Sequence, residues 1–249
     1  MSRIEIDGRT ATAEALVHPA VSTYGHFTAM QVRDRKVRGM EFHLARLRAA
    51  SLELFDTVLD CDRVLSYVRH ALTDVDDASL RVYVFQPADT LSIMVTVNPP
   101  GSAPSVPQRM QSVPYVRPLP QVKHLGGFAQ AYYSRAARAN GFDDALLVAP
   151  DGFIAEGATT NIGFFDGSGV VWPDAPQLSG ITMQLLDTVV PSRRAPIRIA
   201  DVVGMDGAFL ANARGLVAVS AIDDEQLKVN TERMAAITSA YDSIPRRAI

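Results

Sequence analysis

The chain has 249 residues, of which 47% are hydrophobic and 20% charged, and this balance is typical of a globular protein with a substantial core. Its formal net charge is −3, and its basic residues are scattered among acidic ones, so no basic face for nucleic acid or anionic lipid is indicated. The single cysteine, Cys61, excludes an intrachain disulfide and a zinc site built from several thiolates. We therefore expect small-molecule partners, without nucleic acid or membrane.

The N-terminal sequence MSRIEIDGRT is polar and lacks the apolar core of a signal peptide. No apolar run in the chain approaches the roughly 20 residues that are needed to span a bilayer. The sequence therefore predicts a cytoplasmic protein.

Two hairpins are predicted near the start of the chain. Alternating residues flank Asp7 and Gly8, a dipeptide that is typical of a two-residue hairpin turn. A second hairpin is expected from Phe27 to Val37, with its turn near Asp34 and Arg35. An antiparallel sheet should begin here.

Helices and further strands follow these hairpins. Leucines at helical spacing predict a helix from Glu41 to Phe55, which places Arg46 on a helix, and a second helix is expected from Val64 to Leu72. The sequences LRVYVF and LSIMVTV are then typical of paired strands, because the breaker sequence QPAD separates them. These elements complete an antiparallel α/β unit.

A proline-rich segment interrupts the chain between Pro99 and Pro120, where seven prolines occur. Proline has no backbone N–H and distorts a helix, so we expect neither a continuous helix nor a central strand in this segment. The sequence therefore predicts a domain boundary here, with a small N-terminal α/β domain over residues 1–118 and a C-terminal domain over residues 119–249.

The second half begins with VKHLGG and a predicted helix from Phe128 to Asn140, which Gly141 ends. Strands are expected after it, and turn sequences such as PDG and DGSG separate the first four of them into a β-meander. The predicted strands are DALLVA, FIAE, TNIGFF, VVW, AFLANA and LVAVSAI. Helices are expected after Gly180 and near the C-terminus.

Five segments together resemble one known family. They are HLARL at 43–47, VKHL at 122–125, FDDALLVAPDGFIAEGATTNIGFF at 142–165, LSGIT at 178–182 and FLANA at 209–213. In order and spacing they are similar to the class IV, fold-type IV enzymes that depend on pyridoxal 5'-phosphate (PLP), which include branched-chain and D-amino acid aminotransferases and aminodeoxychorismate lyase. The resemblance covers nearly the whole chain. It implies a two-domain α/β (α+β) fold with a β-rich C-terminal pseudo-barrel that binds PLP, and a homodimer.

The resemblance assigns the cofactor to Lys123 and Glu156. A lysine amine condenses with the PLP aldehyde to a Schiff base. After the substrate amine displaces it, the freed lysine amine moves a proton between the substrate Cα and the cofactor C4'. We expect Lys123 to have both roles. A carboxylate beside the pyridine nitrogen favours the protonated ring, which is a better electron sink, and Glu156 fits this role.

The cofactor phosphate needs backbone N–H groups and a fixed cation. A helix that begins directly after a glycine offers the N–H groups. The resemblance implies that Arg46 supplies the cation, as a bidentate guanidinium. Several relatives carry a threonine or serine where this chain has Ala213, so one hydroxyl contact is missing. The expected phosphate ligands are Arg46, Gly180, Ile181, Thr182, Asn212 and Ala213.

The branch of the family is less sharply indicated. Branched-chain aminotransferases place a tyrosine five residues after the lysine, where this chain has Phe128, and D-amino acid aminotransferases use an early tyrosine where this chain has Phe27. The KHL sequence, the GHFT sequence with Thr28 and the NA pair at 212–213 favour the lyase, although Gly126 and Gly127 depart from the lyase pattern.

Four residues are candidates to line the substrate pocket, and Arg81 is the candidate for a substrate carboxylate. Arg81 alternates with Tyr83 on a predicted strand, so the alternative is that it faces water. His26 has the alternative of a hydrogen-bonded structural histidine. The four candidates are Tyr24, His26, Thr28 and Arg81.

Three functions compete at this point. The favoured one is a PLP aminotransferase that acts on an amino acid and a 2-oxo acid, because motif matches indicate the reaction class better than the substrate. The second is a PLP lyase that acts on aminodeoxychorismate or a similar amino acid and releases pyruvate. The third is a non-catalytic binding module. The presence of Lys123 and Glu156 opposes it, because such a module has no physical need for a Schiff-base lysine and a carboxylate for the pyridine nitrogen.

Overall fold

A computed structural model describes residues 2–249, which form two compact units. The first unit contains the N-terminal residues as far as Gly101, together with Val122–Gly126 and Pro245–Ile249. The second contains Ser102–Gln121 and Gly127–Ile244. The second unit thus begins before the predicted boundary at 118/119, because a strand at 108–114 pairs within its sheet. The domain limits themselves stay a prediction.

The first unit is an antiparallel sheet with helices. Its five-stranded sheet has the order β2-β1-β6-β5-β3. Its elements are β1 (Arg3–Ile6), β2 (Arg9–Thr10), α1 (Val17–Val21), β3 (Gly25–Val32), β4 (Lys36–Val37), α2 (Met40–Phe55), α3 (Cys61–Ala71), β5 (Ala78–Phe85) and β6 (Ser92–Asn98). The predicted helices and the predicted strand pair in this part of the chain are confirmed.

Both predicted turns are confirmed. Asp7 and Gly8 have φ angles of 50° and 74°, and they join the antiparallel strands β1 and β2. Asp34 and Arg35 have φ angles of 50° and 57° in the second turn. Gly8 is required for a further reason, since a Cβ there would lie 2.9 Å from the ring of Tyr67.

The core of the first unit lies between its sheet and the helices α2 and α3. Leu47 of α2 and Val68 of α3 pack in one apolar cluster with Val82 of β5 and Ile93 of β6. Residues on a strand alternate between the two faces of a sheet. The opposite face of β3 and β5 is therefore the one on which Phe27 lies, directly across from its strand partner Tyr83.

Two histidines lie inside this core. His26 Nε2 lies 2.9 Å from Ser51 Oγ, and His43 Nδ1 lies 2.6 Å from Thr28 Oγ1. Burial lowers the pKa of His26 to about 4. Burial, and after it the charge of Arg46, lowers the pKa of His43 to about 3. Both imidazoles are therefore neutral at pH 7.

These histidines make stability depend on pH. A histidine whose pKa is lowered by folding binds fewer protons in the folded state, so its contribution is fully present above about pH 6.5 and is lost as the pH falls towards 4 and 3. Between pH 7 and pH 5 we expect each histidine to remove about 2 kcal/mol from the free energy of unfolding. Urea denaturation at both pH values measures this. The variants His26→Gln and His43→Asn should each show a smaller loss, and an equal loss in all three proteins would contradict the prediction.

The second unit is built on a nine-stranded sheet whose main path is β12-β11-β10-β13-β14-β7-β8-β9, with β15 paired to β14. Its strands are β7 (Gln108–Pro114), β8 (Asp144–Val148), β9 (Ile154–Gly157), β10 (Asn161–Phe165), β11 (Val170–Pro173), β12 (Ser192–Ala195), β13 (Ala208–Asn212), β14 (Gly215–Ile222) and β15 (Glu225–Gln226). Its helices are α4 (Phe128–Ala139), α5 (Ile181–Leu186), a 3₁₀ helix (Ile199–Gly204) and α6 (Thr231–Ser243). The last strand, β16 (Arg247–Ala248), belongs to the first unit, where it pairs with β4.

The expectation that the proline-rich segment contains no central strand is wrong. Strand β7 pairs in parallel with β14 on one side and with β8 on the other. Pro107 precedes the strand and Pro114 is its last residue, so no proline removes a donor from its interior. The prolines mark the ends of this strand.

The predicted β-meander is also wrong, because its four strands are not consecutive neighbours in the sheet. Strands β8 and β9 pair, as do β10 and β11, but the neighbour of β10 is β13 and not β9. The chain turns tightly between the two hairpins, where Gly157 N donates to Thr160 O at 2.8 Å. A Cβ at Gly157 would clash with the Thr160 hydroxyl, so a larger residue there would displace that side chain.

The remaining predicted elements of the second half are confirmed. Helix α4 ends at Ala139, and Gly141 beyond it has a φ of 87°. Strands β13 and β14 and helices α5 and α6 occur where the sequence predicts them. None of the helices within residues 2–249 has the length and apolar character required to cross a bilayer.

Candidate active site

Lys123 is held by backbone hydrogen bonds along the edge strand β3. Phe27 N donates to Lys123 O at 2.9 Å, and Leu125 N donates to Gly25 O at 2.9 Å. The Lys123 side chain is half-buried, and its Nζ lies 4.8 Å from the centroid of the Phe27 ring. The lysine therefore extends from a fixed, strand-like backbone.

The face of the sheet beside Lys123 has cationic and aromatic side chains. The Phe27 ring stacks on the ring of Tyr83 at 5.5 Å between centroids. Arg81, two residues before Tyr83 on β5 and on the same face, donates from Nη1 to the Tyr83 hydroxyl at 3.3 Å. The predicted carboxylate ligand Arg81 thus shares a face with Lys123, and it is exposed.

The other three predicted substrate residues lie elsewhere in the first unit. His26 and Thr28 are fully buried on the core face, each bonded to a side chain of α2. Tyr24 is 61% exposed, and its hydroxyl donates to Leu54 O at 3.0 Å. Their role towards a substrate stays a prediction, and the core contacts of His26 and Thr28 favour the structural alternative.

Arg46 lies on α2, as the sequence predicts, and is half-buried. Its guanidinium charge contributes to the low pKa of the buried His43, one helical turn earlier. Thr28 anchors that imidazole at 2.6 Å. Arg46 thus projects from a helix that is itself fixed to the sheet.

Glu156 is a buried carboxylate at the end of β9. Its Oε1 accepts a hydrogen bond from Arg117 Nε at 2.7 Å, and its Oε2 accepts one from Leu178 N at 3.2 Å. The side chains of Arg117 and Glu156 are only 4% and 7% exposed. Sequence reasoning missed Arg117, because an arginine among prolines has neither periodicity nor a motif to single it out.

The loop before α5 is fixed by Asn161, a second residue that sequence reasoning missed. Asn161 Nδ2 donates to Leu178 O at 2.7 Å and to Gln177 Oε1 at 3.0 Å. A Cβ at Gly180 would lie only 1.8 Å from Asn161 Oδ1. Glycine is therefore required at the start of α5. The position of Asn161 at the end of TTN, within a segment that resembles the family, was the signal that could have identified it.

The predicted phosphate ligands of the second unit lie close together. Gly180 is the N-cap of α5, so the helix begins at Ile181. Thr182 Oγ1 donates to Asn212 O at 2.8 Å, which joins α5 to the end of β13. Ala213 follows directly in the chain. The Thr182 hydroxyl proton is thus already engaged by a backbone carbonyl.

These groups fit PLP chemically. Arg117 Nε donates to one Glu156 oxygen and Leu178 N to the other, and each oxygen has a second lone pair that can accept an N–H. Lys123 supplies a primary amine, and Arg46 supplies a guanidinium for an anion. The described residues 2–249 contain no cluster of three or more side chains suited to a metal ion.

The chain belongs to the amino-transferase class IV family, because residues 25–222 match the family's model. This confirms the resemblance that the sequence indicates, and it identifies the protein as an enzyme of that family, an aminotransferase or a related lyase. No curated protein sequence matches the chain significantly.

Solved structures of the same fold confirm the α/β (α+β) architecture. A hypothetical aminotransferase from Mycobacterium tuberculosis, described in a PLP-bound form, has a TM-score of 0.82 at 22% identity, over 97% of this chain and 98% of that chain. A putative 4-amino-4-deoxychorismate lyase from Legionella pneumophila has 0.80 at 17% identity, over 90% and 92%. The branched-chain aminotransferase of Escherichia coli has 0.78 at 16% identity, over 94% and 92%.

Proposed function

We propose that the protein is a PLP-dependent aminotransferase that transfers an amino group between an amino acid and a 2-oxo acid. The observation that carries the proposal is the buried Glu156 carboxylate, which is held by Arg117 and Leu178 and has lone pairs left to accept an N–H. Family membership supports the reaction class. The PLP-bound and pyridoxamine-phosphate-bound forms of the M. tuberculosis relative support the cofactor.

Lys123 has two roles in this proposal. Its Nζ holds the cofactor covalently, and after release it moves a proton between the substrate Cα and the cofactor C4'. Bound PLP supplies a sink for the electrons that are released at the substrate Cα. Glu156 accepts a hydrogen bond from the ring nitrogen and favours its protonated form.

Arg46 and the start of α5 are proposed to hold the phosphate, with backbone donors from Gly180, Ile181, Asn212 and Ala213. We expect Arg46→Ala to weaken PLP binding by about 1.5–3 kcal/mol, roughly ten- to a hundredfold in Kd, because the phosphate loses a charged donor. PLP titration of the cofactor-free protein measures this. Thr182→Val should cost less affinity, since the Thr182 hydroxyl donates to Asn212 O.

The matched control for this titration is Arg48→Ala, which removes an exposed arginine from the same helix. Its Kd for PLP should equal that of the wild type. If Arg46→Ala also bound PLP as tightly as the wild type, another cation would have to hold the phosphate.

On the substrate side, we propose that Arg81 binds a carboxylate, because it lies on the same sheet face as Lys123. Tyr24, His26 and Thr28 remain weaker candidates. The contacts of His26 and Thr28 within the core place their side chains on the opposite face of β3.

The lyase is the second candidate, because the KHL, GHFT and NA sequences of this chain resemble those of aminodeoxychorismate lyase. Steady-state assays distinguish the two reactions. A transaminase converts its cofactor to the pyridoxamine form with an amino donor alone, and a screen of L- and D-amino acids would identify the donor. A lyase releases pyruvate from aminodeoxychorismate without any 2-oxo acid, and that result would replace the proposal.

We further propose a cytoplasmic homodimer with small-molecule substrates and with neither nucleic acid nor membrane as a partner. Sedimentation at micromolar concentration should show a dimer, because the resemblance implies active sites near a subunit interface. A fully active monomer would contradict this proposal.

A further inference from the structure

Arg117 lies outside the segments that resemble the family, yet it holds Glu156, the buried carboxylate on which the proposed function depends. Its Nε donates to Glu156 Oε1 at 2.7 Å, and both side chains are almost fully buried. Removing charges from water is unfavourable unless both partners are well bonded. The pair meets this condition, because Leu178 N binds the second carboxylate oxygen.

The guanidinium of Arg117 has a second contact, since its Nη2 donates to Pro120 O. Pro120 precedes Lys123 by three residues in the sequence. One planar side chain therefore binds both the carboxylate of Glu156 and the peptide segment that leads to Lys123. Lysine could not replace it equally, because an ammonium lacks the rigid fork of donors.

The charge of Arg117 matters for what Glu156 can do. A buried carboxylate without a neighbouring cation is unfavourable, because burial disfavours the charged form. A charged carboxylate that accepts a hydrogen bond stabilises a protonated ring nitrogen. Arg117 compensates the negative charge at the shortest contact of the carboxylate.

We propose that Arg117 is a positioning residue, which compensates the charge of the buried Glu156 carboxylate and orients it so that it can bind the protonated ring nitrogen of PLP. The inference rests on the proposed function and assigns Arg117 no contact with the cofactor. The effect of Arg117 on the ring nitrogen passes through Glu156, so it depends on the presence of that carboxylate.

A double-mutant cycle on PLP affinity tests this dependence. The proteins are the wild type, Arg117→Met, Glu156→Gln and the double variant, and the probe is PLP added to each cofactor-free protein. We expect Arg117→Met to weaken PLP binding about tenfold or more when Glu156 is present, and less than about threefold in the Glu156→Gln background. A merely structural role would give the same loss in both backgrounds.

Arg193 and Asp166 provide the matched control cycle in the same unit. Their contact is also 2.7 Å, but the side chain of Arg193 is 52% exposed. Arg193→Met and Asp166→Asn should show no coupling in PLP affinity. Arg117→Lys, measured in both Glu156 backgrounds, completes the cycle if Arg117→Met does not fold, and it should recover only part of the affinity because it restores the charge without the fork.

The outcomes separate this inference from the proposed function. Equal losses in the two backgrounds, or unchanged affinity of Arg117→Met, overturn the role of Arg117 while PLP binding by the wild type still stands. A wild-type protein that binds no PLP overturns both. Coupling of about threefold or more supports the inference.

Discussion

Lys123→Ala is expected to abolish both the covalent attachment of PLP and turnover. The chain has only three lysines, Lys36, Lys123 and Lys228, and Lys36 and Lys228 are exposed. Lys123 alone has its backbone bonded along β3 and its Nζ over the Phe27 ring. Without this amine, no group is placed to bond the cofactor covalently or to move the proton at the substrate Cα. Loss of the proton transfer alone costs roughly 10²–10⁴-fold in rate.

Borohydride reduction followed by peptide mass spectrometry measures this attachment directly. In the wild type, the reduced cofactor should be found on the peptide that contains Lys123. Lys36→Ala and Lys228→Ala are the matched controls, and both should retain the visible absorption of the bound cofactor and full turnover. A Lys123→Ala protein that remained yellow and was still labelled would show that another amine holds the cofactor.

Glu156→Gln is expected to lower kcat by about a hundredfold or more, the size of effect seen when one preorganised electrostatic group is removed. A neutral amide favours the protonated ring nitrogen much less than a carboxylate does. The fold should persist. The free energy of unfolding should nevertheless fall by about 1–3 kcal/mol, because a single amide oxygen replaces the two oxygens that now accept from Arg117 and Leu178.

Two measurements keep these effects apart. Steady-state kinetics at saturating PLP report kcat, and urea denaturation of the cofactor-free protein reports stability. Asp166→Asn removes a partly buried carboxylate that also pairs with an arginine but is not part of the proposed site, so its kcat should match the wild type. A kcat of Glu156→Gln close to the wild-type value would mean that Glu156 only stabilises the fold.

Local patterns predicted most of the elements, because their causes are local. The Asp7-Gly8 turn follows from the backbone freedom of those two residues, and α2 follows from leucines at helical spacing. The proline-rich segment misled the prediction. The sequence shows how many prolines occur there, but only the sheet shows that Pro107 and Pro114 bound a strand between two neighbours.

The candidate site divides in the same way. The sequence by itself determined the family, and through it the expected roles of Lys123 and Glu156, because the reaction needs these residue types within recognisable segments. Only the tertiary structure decided that His26 and Thr28 face the core, since strand alternation defines two faces but not which one the helices cover. It also brought Arg117 to Glu156 across 39 residues of sequence, a pairing that depends on burial and charge compensation and leaves no local pattern in the chain.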